Sequence, residues 1–476
     1  MIEEIKINVA FEPIFIYDNE EIVSIKSDIP IYLIYNLNHY GSKKENVALL
    51  KKLIAANDSD AIKRIMYSFF TQTLNTSLDN YYNTINLIPL DDLYKSNDNF
   101  IYPIYLGSNN LFKELASLDL DRRLIDCIHN KRAKICFFQL FEGFFGLQDD
   151  EFLWLYNLSI RYGFEKNDII IVTANMIAKE RHEKIISTYN LEDNFTVFPY
   201  SYFQHNLWWL KDLGKLLDPN LRKSVENEFN IYLKNNQINK KKFHFLCFNR
   251  IPRGNRLAIF GELSYNENLK GKSILSLGWE PTRNKTLFVK LIKDFVRTDY
   301  KYDIQKLIDF YTRYDNSKHY TYDCPDLEHN KANVLNQYAH ENAFVNIVTE
   351  TLINPKSVFF SEKTFKPIYA CQPFIILGNP ESLKKLKELG FKTFDKWWDE
   401  SYDEEYLFIN KVKKIKDILI EISLKTDDEL SKMLIDMENV LSHNYDVFIN
   451  YRDQLLFNAL SESSDMNKSK NIKKLI

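Results

Sequence analysis

Short, almost wholly apolar runs alternate with longer stretches of helical spacing along most of this chain. The runs IPIYLIYNL, KICFFQLF, DIIIVTANM and NFTVFPYSYF are separated by segments such as ENVALLKKLIAAN and DAIKRIMYSFFTQTL. A run that is apolar on both faces suits a strand buried between layers, and alternation of such strands with helices predicts an α/β fold with parallel sheets. The 476 residues exceed one ordinary core, so two domains of about 200 residues each are expected. A polar, lysine-rich stretch, NNQINKKK at 235–242, marks the boundary. The expected domains are 1–238, 239–460 and a polar tail over 461–476.

Charge and cysteine usage exclude several classes of function. A net charge of −3 offers no basic field for a polyanion, so no nucleic-acid partner is expected. The five cysteines are widely spaced and never form C-x-x-C, which indicates neither a disulfide framework nor a zinc site. The start, MIEEIKINVAFEPIF, carries acids where a signal peptide carries lysines, and no apolar stretch is long enough for stable membrane insertion. A cytoplasmic location is the expectation.

Chemistry-bearing residues gather at two places in the second half. After FHFLCF come Asn249, Arg250, Arg253 and Arg256, in a turn that leads into an amphipathic helix. Guanidinium groups converging at a strand end suit a diphosphate, although a solvated arginine loop is the alternative. Further on, SVFFSEKTFKPIYACQPFIILG reads as strand, helix, strand: Val358-Phe-Phe, then a helix capped by Ser361 and stopped at Gln372-Pro373, then Phe374 to Gly378. Glu362, Lys363 and Lys366 then fall at a helix start. A carboxylate there accepts from vicinal ribose hydroxyls while a neighbouring lysine meets a phosphate, or else the pair is a capping acid with a surface lysine. Glu350, in TETL, adds a second carboxylate, with a helix-start acid as its structural alternative.

Taken together, FLCFNRIPRGNR and VFFSEKTFKPIYACQPFIILG resemble the donor-binding half of GT-B glycosyltransferases related to the α1,3-fucosyltransferases, in particular a viral and bacterial fucosyltransferase-like group. The resemblance spans roughly 243 to 405. It departs at Lys366, which replaces an apolar helix position, and in an Asn-to-Arg spacing one residue longer. It implies two Rossmann-like domains facing across a cleft, the C-terminal one holding a nucleotide-sugar donor and the N-terminal one a glycan or other hydroxyl acceptor. The donor is a nucleoside-diphosphate sugar, GDP-linked if the likeness extends to the base, and no cofactor is implied.

An inverting transferase needs a carboxylate base. Glu142 in KICFFQLFEGFFG is the candidate, with Asp149, Asp150 and Glu151 as competitors and a turn acid beside Gly143 as the structural alternative. The resemblance also carries a Glu-containing loop after a strand there. Asp58-Ser-Asp60 and Asp119-Leu-Asp121 match the Asp-x-Asp of metal-dependent transferases, but both read as caps or solvated faces, so no metal is expected. His39, His205, Trp208-Trp209 and Trp397-Trp398 read chiefly as structural, with sugar contact as the alternative. A catalytically silent nucleotide- or glycan-binding protein on the same fold is the alternative function.

Overall fold

In the computed structural model the described residues are 7–11, 16–18, 21–23, 85–105, 120–139, 149–193, 195–201, 203–204, 241–249, 253–277, 335–351, 353 and 356–450. The chain divides into two units, Met1–His205 with Arg452–Ile476, and Asn206–Tyr451. The boundary expected at 238/239 lies outside the described residues.

Unit 1 runs β1 (Ile7–Phe11), β2 (Ile16–Asp18), β3 (Glu21–Val23), β4 (Ile85–Pro89), α1 (Leu90–Lys95), β5 (Phe100–Tyr105), α2 (Arg122–His129), β6 (Ala133–Gln139), α3 (Asp149–Tyr162), β7 (Ile169–Thr173), α4 (Ala178–Tyr189) and β8 (Thr196–Pro199). β2 and β3 form a small antiparallel pair. The other strands make one sheet in the order β4-β1-β5-β6-β7-β8, every neighbouring pair parallel. All residues of β6 and β7 are buried, as a parallel sheet covered on both faces requires. Phe152, His182 and Phe195 stack between α3, α4 and the approach to β8. α2 begins at Asp121, whose carboxylate accepts from the Arg123 N–H at 2.8 Å. That residue is a cap, while Asp119, Asp58 and Asp60 lie outside the described residues.

Unit 2 runs β9 (Phe243–Asn249), α5 (Gly254–Tyr265), β10 (Ser273–Leu277), α6 (Gln337–Asn342), β11 (Ala343–Thr349), α7 (Glu362–Tyr369), β12 (Phe374–Leu377), α8 (Ser382–Glu388), α9 (Phe408–Ser423), α10 (Asp427–Asp436) and α11 (Glu438–Ile449). Its sheet is also parallel throughout, in the order β10-β9-β11-β12. The fold class is therefore α/β with two Rossmann-like parallel sheets, as the apolar alternation predicts. Among the described residues no helix is long and apolar enough to cross a membrane.

One expected strand is not a strand. Residues 357–361 belong to no strand, and among the described residues the strand that precedes α7 is β11, further upstream. Phe359 and Phe360 are buried by packing, with the Phe360 ring set edge-on to Phe365 at 6.2 Å. A buried segment of irregular backbone leaves the same apolar signature as a strand. α7 itself ends at Tyr369, before the expected stop at Gln372-Pro373, and Cys371 adopts a positive φ of 49° in the turn.

The order β10-β9-β11-β12 has a consequence for binding. From β9 the chain crosses to β10 on one side, and from β11 it crosses to β12 on the other. The connections diverge between β9 and β11, and the carboxyl ends of two such strands open a crevice suited to a ligand.

Candidate functional site

Both residue clusters singled out in the sequence lie at that divergence. Asn249 closes β9 and is fully buried. Its carboxamide oxygen accepts from Thr349 Oγ1 at 2.5 Å and its main-chain N–H donates to Ser276 Oγ at 3.2 Å, so it ties together the ends of β9, β10 and β11. Arg253 occupies the N-cap position of α5 in extended conformation, and its guanidinium donates to the Thr351 carbonyl at 2.7 Å. Arg256, in the first turn of α5, is buried near Cys247. Burial pushes that thiol up to about 12, against the opposing pull of an Asn249 hydrogen bond and the Arg256 charge. The first turn of α5 holds no acid. A buried arginine beside the positive end of a helix is electrostatically favourable when an anion joins them.

Glu350 follows β11 and spends its carboxylate within the chain. Oε1 accepts from the Ser361 N–H at 3.0 Å and Thr364 Oγ1 at 2.6 Å, and Oε2 accepts from the Thr351 N–H at 3.2 Å. As the structure stands, Glu350 pins the start of α7 to the end of β11.

Ser361 caps α7 as its sequence predicts, its Oγ accepting from the Lys363 N–H at 3.3 Å. The Lys363 ammonium folds back to donate to Glu362 Oε1 at 2.9 Å and to Ser361 Oγ at 3.3 Å. Glu362 is only 5 % exposed, and its second oxygen, Oε2, has no hydrogen-bond partner among the described residues. Burial works to raise this carboxyl's pKa, but the charges of Lys363 and Lys366 with the Lys363 hydrogen bond outweigh it, so the group sits below the ordinary glutamate value of 4.5 and is ionised at neutral pH. An ionised, buried oxygen without a donor is costly for the chain alone. Lys366, one turn into α7, is half-buried. Beside Gly378, at the end of β12, there is no space for a larger residue: a Cβ there would lie 3.0 Å from Ser382 Oγ, 3.1 Å from Ile376 Cγ2 and 3.6 Å from Glu350 Cγ.

The fold thus brings Asn249, Arg253, Arg256, Glu350, Ser361, Glu362, Lys363 and Lys366 to one sheet edge and the helices that leave it. Arg250 and Glu142 lie outside the described residues, as do His39, His205, Trp208 and Trp209. Asp149, Asp150 and Glu151 begin α3. Trp398 is buried and packs on Phe394 at 5.2 Å, while the half-buried Trp397 lies 6.2 Å from the same ring. Asn255, which sequence reasoning did not single out, is as central as the arginines. Its carboxamide donates to the Glu350 carbonyl at 2.7 Å. No local pattern marks it, because its partner is 95 residues away. Among the described residues no group of three or more His, Cys, Asp or Glu is placed to hold a metal ion.

No protein-family model and no curated protein matches this chain. Among solved structures, it is similar to a UDP-forming α,α-trehalose-phosphate synthase from Burkholderia xenovorans, with 10 % identity, 76 % of this chain and 73 % of that chain covered, and a TM-score of 0.35. It is also similar to an α1,3-fucosyltransferase, with 12 % identity, 74 % of this chain and 93 % of that chain covered, and a TM-score of 0.27. Likeness of this extent assigns neither substrate nor activity.

Proposed function

We propose that this protein is a nucleotide-sugar-dependent glycosyltransferase of GT-B architecture, with its nucleotide site in unit 2 between the ends of β9 and β11. The observation that carries the reading is the buried, ionised Glu362 carboxylate, one oxygen held by Lys363 and the other without a donor. A ribose hydroxyl is a donor that such an oxygen accepts. Lys363, Arg253 and Arg256 supply positive charge for a diphosphate, and the start of α7 adds its helix dipole.

The reaction that follows is inverting transfer to a hydroxyl of a glycan or other acceptor. The acceptor oxygen attacks the anomeric carbon as the glycosyl–phosphate bond breaks. Glu142 takes the hydroxyl proton, and the leaving diphosphate keeps the bonding pair, its charge met by the arginines and Lys363. No metal ion is required in this scheme. The transferred sugar is fucose or a related hexose.

Thermal shift of the whole chain with GDP, UDP, CDP and dTDP tests the reading. One of them at 100 times its Kd should stabilise the protein by about 2.7 kcal/mol. Glu362→Gln and Lys363→Ala should each weaken that binding by about 1–3 kcal/mol, the range for a charge-assisted hydrogen bond. Absence of a shift with all four nucleotides overturns the proposal.

A further inference from the structure

The carboxyl edge of the unit 1 sheet has a different chemistry. β6, β7 and β8 end abreast, with Gln139 paired beside Thr173 and Thr173 beside Pro199. The strands are apolar through their middles, and polar residues gather at and just beyond their carboxyl ends: Gln139, Thr173, Asn175, Ser201 and Gln204 are all buried. Thr173 Oγ1 donates to Gln139 Oε1 at 3.1 Å and accepts from the Asn175 N–H at 3.2 Å. The Asn175 carboxamide oxygen accepts from the Ile177 N–H at 3.2 Å. The Tyr200 N–H donates to the Thr173 carbonyl at 2.8 Å, which holds the segment carrying Ser201 against the end of β7.

Two members of this row have no such bond. Ser201 Oγ and Gln204 Oε1 are buried without a hydrogen-bond partner among the described residues, in residues 6 % and 1 % exposed. Buried polar atoms are almost always paired, and apolar side chains of similar size would fill the same space without the penalty. Two oxygens unpaired among the described residues, beside a satisfied polar row, mark a place that a bound partner would complete.

The kind of partner follows from what the edge offers. Among the described residues here, 139, 173–177, 199–201 and 203–204, none is charged. The unit 2 edge, by contrast, carries Arg253, Arg256, Glu362 and Lys363. A neutral set of hydroxyls and carboxamides, with the half-buried Phe203 next to Gln204, favours neither phosphate nor cation. It matches a sugar, whose hydroxyls donate to carboxamide oxygens and exchange hydrogen bonds with serine while its C–H face lies on an aromatic ring.

We infer that the carboxyl edge of β6 to β8 is a binding site for a neutral carbohydrate, with Ser201 and Gln204 as its hydrogen-bonding residues. As a saccharide site it stands on unit 1 alone. Its service as the acceptor site rests on the transferase reading above.

Saturation-transfer NMR on the full chain with glucose, galactose, N-acetylglucosamine and lactose tests the inference. At least one of these sugars should receive saturation, and Ser201→Ala and Gln204→Met should each weaken its binding about tenfold, one hydrogen bond's worth. Circular dichroism checks that the variants fold, and if Gln204→Met does not, the wild-type response and Ser201→Ala decide. No saturation of any of the four sugars overturns the inference. So does wild-type affinity in both folded variants, which would make ordered water the partner of the two oxygens. Saccharide binding that depends on Ser201 and Gln204 supports the site even if no nucleotide binds, in which case only the transferase reading falls.

Discussion

The carboxamide of Asn255 donates to the main-chain carbonyl of Glu350 at 2.7 Å, across 95 residues of sequence. With the Arg253 bond to the Thr351 carbonyl, it locks the start of α5 to the turn after β11. Asn255→Ala removes the donor and leaves a buried carbonyl unpaired, at a cost of about 1–3 kcal/mol. Urea denaturation should show that loss, and nucleotide affinity should fall with it because both sides of the site are tied through this bond. Unchanged stability would mean that the bond contributes nothing net.

Gly378→Ala tests the close approach at the end of β12. The added methyl lies 3.0 Å from Ser382 Oγ and 3.1 Å from Ile376 Cγ2, so neighbours in a packed interior must give way. Overpacking of this kind costs about 1–3 kcal/mol. A lowered denaturation midpoint is expected, and a wild-type midpoint would show that Ser382 turns aside freely.

His182 supplies a pH signature for unit 1. Burial lowers its pKa from 6.5 to about 4, with Asp193 pulling upward and Lys166 adding to the depression. The unfolded chain takes up this proton below pH 6.5, whereas the native imidazole resists until about 4. Stability therefore falls as pH drops through that window, by up to about 1.4 kcal/mol per pH unit, and is indifferent to His182 above it. His182→Phe keeps a ring between Phe152 and Phe195 and removes the titration. Denaturant midpoints measured from pH 7 to 4 should decline less steeply in the variant, and an equal decline would exclude His182 as a source of acid sensitivity.

Glu142→Gln addresses the proposed base. Once a donor is known, transfer should drop about 10²–10⁴-fold while nucleotide affinity holds, because a base touches the acceptor and not the nucleotide. Full turnover in the variant would pass the role to Asp149, Asp150 or Glu151.

The metal-free scheme makes its own demand. Transfer should continue in EDTA, with arginine and lysine meeting the diphosphate charge. Loss of turnover that Mn²⁺ restores would refute it.

Features set within a few residues were legible in the sequence. Largely apolar runs bounded by polar or turn-forming residues marked β6, β7, β9, β11 and β12, because a strand covered on both faces shows little of a polar side. Ser361 could be read as a cap because its bond to the Lys363 N–H spans two residues. What the sequence could not determine was strand order. Only the arrangement β10-β9-β11-β12 carries the arginine turn and the Glu-Lys helix start to one edge, and such pairing depends on packing between residues about a hundred positions apart. Tertiary structure likewise decided that Glu350 turns its carboxylate inward to hold α7 while Glu362, also buried, keeps one oxygen without a donor. It also decided that Val358 to Phe360 are buried outside any strand. Each outcome turns on which distant groups surround a side chain, and local periodicity contains no record of them.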